Sequence, residues 1–363
     1  MPAKFSDTSS EIPPQPQTQQ LSNYQRDSAF ELLRLLSQVF IVLYHICYIY
    51  QGKEYSNQSF FQAVSIPLHI GVVVFVLLSG FFTIKLKVGG LVKLLGIFFV
   101  YCLPSVIYNV MTAKDIIHAI RSLMFFSDSY YWFVKVYLYL FLVSPMINLW
   151  LQKASERERW YMVCVFAFIA CYMAISRGDS SLVNGKNLVN FIYFYLVGNQ
   201  LHYYKERWMN IKTNTLLLCY ILFNIAILSL EYYTCGNVVG KLLKALSFPY
   251  SSPLILVGAI MFFTIIGKQH IQSRFINYVA ASSFAIYLIH SSRPYMPTLH
   301  GYVCCYLQSL TDCNAALFGM YFIYTLAVIV VCVLIDKCIS PIWKLINNYG
   351  AYLNNKIEIV KPI

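Results

Sequence analysis

The chain has 363 residues, of which 58% are hydrophobic and 12% charged, and its formal net charge is +12. A soluble globular domain carries about 25% charged residues, so this composition excludes an ordinary soluble protein and predicts an integral membrane protein. The basic residues are dispersed over short loops rather than gathered on one face, which disfavours binding to nucleic acid.

The predicted elements follow one another without room for a second domain. Residues 1–25 are rich in Gln, Pro and Ser and predict a disordered cytoplasmic tail. We then expect an all-α polytopic membrane protein of about ten transmembrane helices, since apolar stretches of about twenty residues recur and each can cross a hydrocarbon core of about 30 Å. The predicted spans are residues 29–50, 62–84, 91–110, 129–150, 160–176, 188–204, 214–231, 249–267, 276–293 and 314–336.

These spans form one predicted transmembrane domain over residues 26–340, followed by a cytoplasmic tail at 341–363 that could contain an interfacial helix. Basic residues flank the cytoplasmic ends of membrane helices and so predict orientation. With the N-terminus inside, seventeen Lys and Arg residues fall on the cytoplasmic side and eight on the other. Both termini are therefore expected in the cytoplasm.

Short motifs narrow the class further. The sequence has no P-loop, no dinucleotide glycine fingerprint and no G-x-S-x-G elbow, which argues against an ATP-driven pump and a serine esterase. No cysteine spacing indicates a zinc site, and neither a metal nor a bound cofactor is expected. The predicted outer loops contain Cys235, Cys304, Cys305 and Cys313, two of which could pair in an oxidising compartment.

The first predicted span carries the clearest candidate site. Arg34 and His45 lie eleven positions apart. At about 100° and 1.5 Å per residue they share one helix face about 16 Å apart, and Gln38 falls on the same stripe. Ionisable groups inside a membrane span are costly, which favours a function for the pair. A satisfied core histidine and an arginine reaching the headgroups would also explain them. Glu31, one turn before Arg34, could pair with the guanidinium.

Other polar and aromatic side chains lie near the ends of the predicted spans. Close helix packing, an aromatic belt and basic side chains that reach the headgroups would explain each of them singly. Their co-occurrence in one chain favours a substrate site. The candidate donor- or substrate-binding residues are Glu31, Gln38, Ser79, Lys93, Trp132, Lys135 and His290.

Several segments, in order along the chain, resemble motifs of the integral-membrane acyltransferase 3 family. The first helix of that family has an arginine, ten residues and then a histidine. The ordered set covers about residues 24–340 and is more specific than any one motif. The matching segments are Arg26–Arg34 with Val42–His45, Phe75–Phe82, Tyr131–Phe133 with Tyr137–Pro145, Phe194–Gly198 and Ser282–His290.

The resemblance implies a membrane-bound O-acyltransferase. Such an enzyme moves an acetyl or other short acyl group from cytoplasmic acyl-CoA to a hydroxyl of a saccharide or cell-envelope glycan, in the inner membrane of a bacterial cell. By position, Arg34 and His45 are the two essential residues of the family's first helix. Where the family often has arginines at the start of its third helix, this chain has Lys85, Lys87 and Lys93. Lysine keeps the charge but lacks the planar fork that binds phosphate.

The chemistry of the residues is compatible with acyl transfer. A sugar hydroxyl needs a base to attack a thioester, and histidine is the side chain best suited to this at neutral pH. His45 is thus a candidate general base, although it could instead carry the acyl group. Arg34 could bind the donor phosphate. The alternative functions are a transporter or flippase of a lipid-linked saccharide, whose inverted repeat is not visible here, and a protein whose polar residues only join helices.

Overall fold

The computed structural model describes residues 27–50, 58–112, 116–117, 120, 131–176, 185–234, 249–292 and 295–357, and within these ranges the regular structure is helical, with no strand. The helices are α1 Ser28–Tyr44, α2 Gln58–Ser65, α3 Ile70–Phe81, α4 Val88–Met111, α5 Trp132–Lys153, α6 Glu156–Ser176, α7 Leu188–Tyr203, α8 Lys205–Met209, α9 Thr213–Thr234, α10 Pro253–Gly267, α11 Arg274–Ala280, α12 Ser283–His290, α13 Tyr295–Ser309, α14 Asn314–Cys338 and α15 Ser340–Lys356. The predicted tail at 1–25 lies outside the described residues.

Six described helical segments are long and apolar enough to cross a membrane, and each coincides with a predicted span. They are Ser28–Ile49, Phe60–Phe81, Val88–Tyr108, Trp132–Lys153, Thr213–Thr234 and Asn314–Cys338. The four remaining predicted spans are also largely helical, in α6, α7, α10 and the α11–α12 pair. The predicted all-helical membrane architecture is confirmed. These four segments are not among the six, so helix length and composition do not establish the predicted number of about ten spans.

The first helix lies at the centre of the packing. Asp27 caps it, its carboxylate accepting a hydrogen bond of 3.0 Å from the Ala29 N–H, and an N-terminal carboxylate also suits the helix dipole. Along its length α1 contacts α3, α10, α11, α12 and α14. Side chains on α1 can therefore face protein rather than lipid.

Two glycines bring α3 and α7 into close contact. A Cβ on Gly80 would lie 2.0 Å from the carbonyl oxygen of Tyr195, and one on Gly198 would lie 2.2 Å from the carbonyl oxygen of Leu77. Only glycine permits this backbone approach, which is the packing expected of small residues in membrane helices. The glycine of the Ser-Gly-Phe segment is therefore explained by packing.

A buried carboxylate links the start of α12 to α4, α14 and α15. Asp336 of α14 accepts hydrogen bonds from the Tyr101 hydroxyl at 2.6 Å, the Ser282 hydroxyl at 2.6 Å and the Trp343 indole at 3.0 Å. A buried charge is tolerated only when such donors replace water. Because Ser282 immediately precedes α12, this network fixes where α12 begins.

Three predicted elements need correction. The span predicted at 276–293 is divided into α11 and α12 at Ala281 and Ser282, where the Ser282 side chain turns to Asp336. The span predicted at 62–84 is interrupted by a 3₁₀ turn at Pro67–His69, because proline cannot donate to the helical ladder.

The span predicted at 62–84 also ends early, at Phe81, since Thr83 has a left-handed backbone with φ of 52°.

The loop predicted around Cys304 and Cys305 is instead helix α13, in which Cys304 is buried. The C-terminal segment is the helix α15, which packs along α4 where Gly89 meets Gly350, and its position at the membrane interface stays a prediction.

We predict that Gly198→Ala destabilises the protein, since its new methyl group overlaps the Leu77 backbone and overpacking costs about 1–3 kcal/mol. Gly319→Ala is the matched control, because a Cβ at Gly319 in α14 meets nothing within 4 Å. Thermal unfolding of both variants in the same detergent measures the difference. A Gly198→Ala protein that unfolds at the same temperature as Gly319→Ala would contradict the close α3–α7 contact.

Candidate active site

The candidate site begins where the first helix changes its winding. At His45 the α-helix gives way to a π-helical turn over His45–Ile49, and the Tyr50 N–H donates to the His45 carbonyl at 2.9 Å. Such wider turns are rare and frequently mark functional sites. The turn alters the direction of the side chains that follow His45.

His45 forms a hydrogen-bonded pair with a second histidine. Its Nδ1 lies 2.8 Å from the Nε2 of His290 at the end of α12, and the two rings stack with centroids 5.0 Å apart. His290 is fully buried, with 0% of its surface exposed. The imidazole of His45 therefore faces the protein interior and not the acyl chains of the lipid.

The hydrogen-bond network assigns the tautomers of the neutral pair. His290 Nδ1 lies 2.7 Å from the Ile286 carbonyl oxygen. A carbonyl only accepts, so His290 Nδ1 carries the proton and its Nε2 is the acceptor. His45 must then donate from Nδ1–H, so its Nε2 carries a lone pair and no proton. This is the form of histidine that can take a proton or attack a carbonyl carbon.

A third histidine supports the end of α12. His300 of α13, also 0% exposed, lies with its Nε2 3.2 Å from the His290 carbonyl oxygen. Its Nδ1 lies 2.9 Å from the Tyr324 hydroxyl of α14. Donation from His300 Nε2–H to the carbonyl and acceptance from the tyrosine satisfy both nitrogens. Helices α13 and α14 thus hold His290 in position.

Aromatic rings extend from His45 to the start of α5. The Tyr44 ring lies 4.3 Å from that of His69, His69 lies 5.2 Å from Tyr250, and Tyr250 lies 5.4 Å from Trp132, measured between ring centroids. We call Tyr44, His69, Tyr250 and Trp132 the aromatic wall. Flat aromatic faces of this kind bind apolar faces and cations.

One cation lies beside this wall. The Lys186 ammonium is 5.2 Å from the centroid of the Trp132 ring and close enough to His45 and His69 to act on both electrostatically. Lys186 is exposed, at the start of the segment that leads into α7. A positive charge is thus available at the edge of the site.

Arg34 lies about three helical turns from His45 on the same face of α1. Its Nη1 pairs with Glu31 at 2.5 Å, and the two side chains are 27% and 5% exposed. On the neighbouring helices, the Ser79 hydroxyl lies 3.2 Å from the Tyr137 hydroxyl, which is within electrostatic range of Arg34. The structure thus brings Ser79 and Tyr137 to the Arg34 end of the stripe.

The remaining candidates differ in placement. Gln38 is buried between Arg34 and His45, with 2% of its surface exposed. Lys93 is exposed on α4 and Lys135 is half-buried on α5. Among the described residues, neither lysine forms a hydrogen bond or ion pair with Arg34 or His45. The site therefore centres on the stripe of α1 and the end of α12.

Besides Tyr44, His69 and Tyr250 of the aromatic wall, three further residues of the site are not among the predicted candidates. Tyr137 lies in an aromatic segment where most rings are expected to pack, and Lys186 lies in a short loop with no motif. His300 and Cys304 are four positions apart and both buried, a helical spacing that could have revealed α13. Within the described residues, no three His, Cys, Asp or Glu side chains are placed to hold a metal ion.

The apolar helices and the buried histidine pair define the class as a multi-pass membrane protein with a buried polar site. A family model described as an acyltransferase domain, acyltransferase 3, matches residues 27–337. The chain therefore belongs to the acyltransferase 3 family. Neither a curated protein nor a solved structure matches it.

We predict that His45 is protonated at Nδ1 and not at Nε2 in the neutral protein, because His290 Nε2 is available only as an acceptor. Nitrogen-15 NMR of histidine-labelled protein distinguishes the two tautomers, and the spectrum of His45→Ala identifies the signal. In His290→Leu the preference should be lost. A His45 signal that shows an Nε2–H tautomer would contradict the assigned network.

Proposed function

We propose that the chain is a membrane-bound O-acyltransferase that moves an acetyl or other short acyl group from cytoplasmic acyl-CoA to a hydroxyl of a saccharide or cell-envelope glycan. Acetyl-CoA is the donor substrate and no bound cofactor takes part. The observation that carries the proposal is the His45–His290 pair, which leaves His45 Nε2 available in an acyltransferase-family protein.

In the proposed reaction His45 acts as the general base. Its Nε2 takes the proton of the acceptor hydroxyl while the hydroxyl oxygen bonds to the thioester carbon. The carbon–sulfur bond then breaks, and the proton on Nε2 passes to the departing thiolate. The products are an ester and the CoA thiol, and His45 returns to its starting state. The hydrogen bond to His290 orients the ring and stabilises the positive charge that His45 carries between the two proton transfers.

His45 Nε2 can also act as the nucleophile, in a second route through an acylated histidine. His45 Nε2 can attack the thioester carbon, release the thiol and hold the acyl group until the acceptor hydroxyl removes it. Both routes require a neutral His45 with its Nδ1 proton bound to His290. They differ in whether an acylated histidine accumulates without acceptor.

Arg34 is proposed to bind the donor. Its ion pair with the buried Glu31 fixes the side chain, which remains 27% exposed. A planar guanidinium can bind two phosphate oxygens at once. The exposed Lys85 and Lys87, between α3 and α4, add positive charge without the bidentate geometry.

We propose about ten spans with both termini in the cytoplasm, in the inner membrane of a bacterial cell. Short helices can lie at membrane depth when protein covers them. Helix α7 has 16 residues and packs closely on the apolar α3, which supports its assignment as a span. The dispersed Lys and Arg residues support the orientation.

We predict that His45→Ala lowers acetyl transfer by about 10²–10⁴-fold, the usual loss when a general base is removed. Transfer of radiolabelled acetyl from acetyl-CoA to envelope glycans in isolated membranes provides the measurement. His270→Ala is the matched control, because His270 is exposed between α10 and α11. Normal transfer by a stably inserted His45→Ala protein would refute the proposed role.

The orientation is tested separately by reporter fusions. A reporter that is active only outside the cytoplasm should be active when fused after Gln51 and inactive after Lys87, because these positions follow the first and second spans. The opposite pattern would overturn the proposed orientation.

A further inference from the structure

We propose that Gln38 recognises the pantetheine arm of the acyl donor, by accepting a hydrogen bond from the amide N–H farther from the thioester. The inference rests on the proposed function and adds a specific donor contact within the same site. Its ligand is a secondary amide, which lies between the phosphate proposed to bind Arg34 and the thioester proposed to react at His45.

Position is the first observation that points to Gln38. At about 1.5 Å per residue it lies about 6 Å along α1 from Arg34 and about 10 Å from His45. At about 100° per residue, the three residues fall within about 40° of one another around the helix. A ligand that extends along this face between Arg34 and His45 therefore passes Gln38.

The second observation is an unsatisfied hydrogen-bond acceptor. Gln38 is buried, yet its Oε1 makes no hydrogen bond with any residue in the described part of the chain. Its neighbours on the stripe differ, since Arg34 pairs with Glu31 and His45 pairs with His290. Burial of a lone amide oxygen in a membrane-embedded helix is costly. A donor group on a ligand would remove that cost.

The length of the donor fits the stripe. An extended chain advances about 1.2 Å per bond, so the roughly thirteen bonds from the nearest CoA phosphorus to the sulfur span about 16 Å. This equals the separation of about 16 Å expected between Arg34 and His45 along α1. Phosphate at Arg34 therefore places the thioester at His45.

The same advance of about 1.2 Å per bond decides which of the two pantetheine amides can reach Gln38. The nitrogen nearer the sulfur is about three bonds, or about 4 Å, away from it, and the farther one about seven bonds, or about 8 Å. Since the sulfur must lie a few ångströms from His45, only the farther amide reaches the level of Gln38. The acceptor hydroxyl is held at the His45 end and does not reach this position.

Three donors and the Gln38→Met variant test the assignment. Acetyl-CoA and S-acetylpantetheine contain both amides, whereas S-acetyl-N-acetylcysteamine contains only the one nearer the sulfur. Methionine keeps the length of the side chain and removes its oxygen. Gln38→Met should raise KM about three- to tenfold for the first two donors, the range expected for one neutral hydrogen bond. KM for the third donor, and kcat for each, should change less than about twofold.

Comparison of donors on the same membrane preparation removes the effect of any misfolded fraction. Gln200→Met is the matched control, because Gln200 of α7 is also buried with an unsatisfied Oε1 but lies off the stripe; its KM ratios should equal those of the wild type. Gln38→Glu, which retains an acceptor oxygen, should restore part of the affinity for S-acetylpantetheine.

If the wild type transfers acetyl normally, either of two results for Gln38→Met overturns the assignment of Gln38 and leaves the proposed function intact. In the first, KM changes equally for all three donors. In the second, KM changes for none of them. Failure of the wild-type protein to transfer acetyl from acetyl-CoA is a different result. It overturns the proposed function, and the Gln38 assignment with it.

Discussion

The hydrogen bond between His45 Nδ1 and His290 Nε2 is the interaction on which the candidate site depends. An imidazole in a membrane-embedded interior cannot rely on water to orient it or to share a developing charge. His290, itself bound to the Ile286 carbonyl, orients the neutral His45 ring and remains its hydrogen-bond acceptor when positive charge develops there. The consequence is a single available nitrogen, His45 Nε2, at the end of a stripe that begins at Arg34.

The rest of the fold holds these two histidines in register. His45 directly follows α1, which five other helices contact, whereas His290 lies on the short α12 and has little helix of its own to anchor it. Asp336 fixes the start of α12 through Ser282, and His300 holds its last carbonyl. The buried polar groups outside the site therefore have a positional role.

Local periodicity was sufficient to predict part of this arrangement. Arg34 and His45 belong to one helix, so their common face follows from 3.6 residues per turn. His290 is predicted as a candidate, but its bond to His45 joins positions 245 residues apart, and no local pattern encodes such a contact. The break at Ser282 likewise depends on Asp336, in another helix. The sequence therefore predicts residues and faces, whereas long-range hydrogen bonds require the packed structure.

The most direct test of the histidine pair compares two substitutions of His290. The side-chain carbonyl of His290→Gln can still accept the His45 Nδ1–H, whereas His290→Leu cannot. Acetyl transfer from acetyl-CoA should fall at least about tenfold in His290→Leu and should be retained to a clearly greater extent in His290→Gln at equal protein level. Equal transfer by wild type and His290→Leu would contradict a catalytic pair and leave His290 as a packing residue.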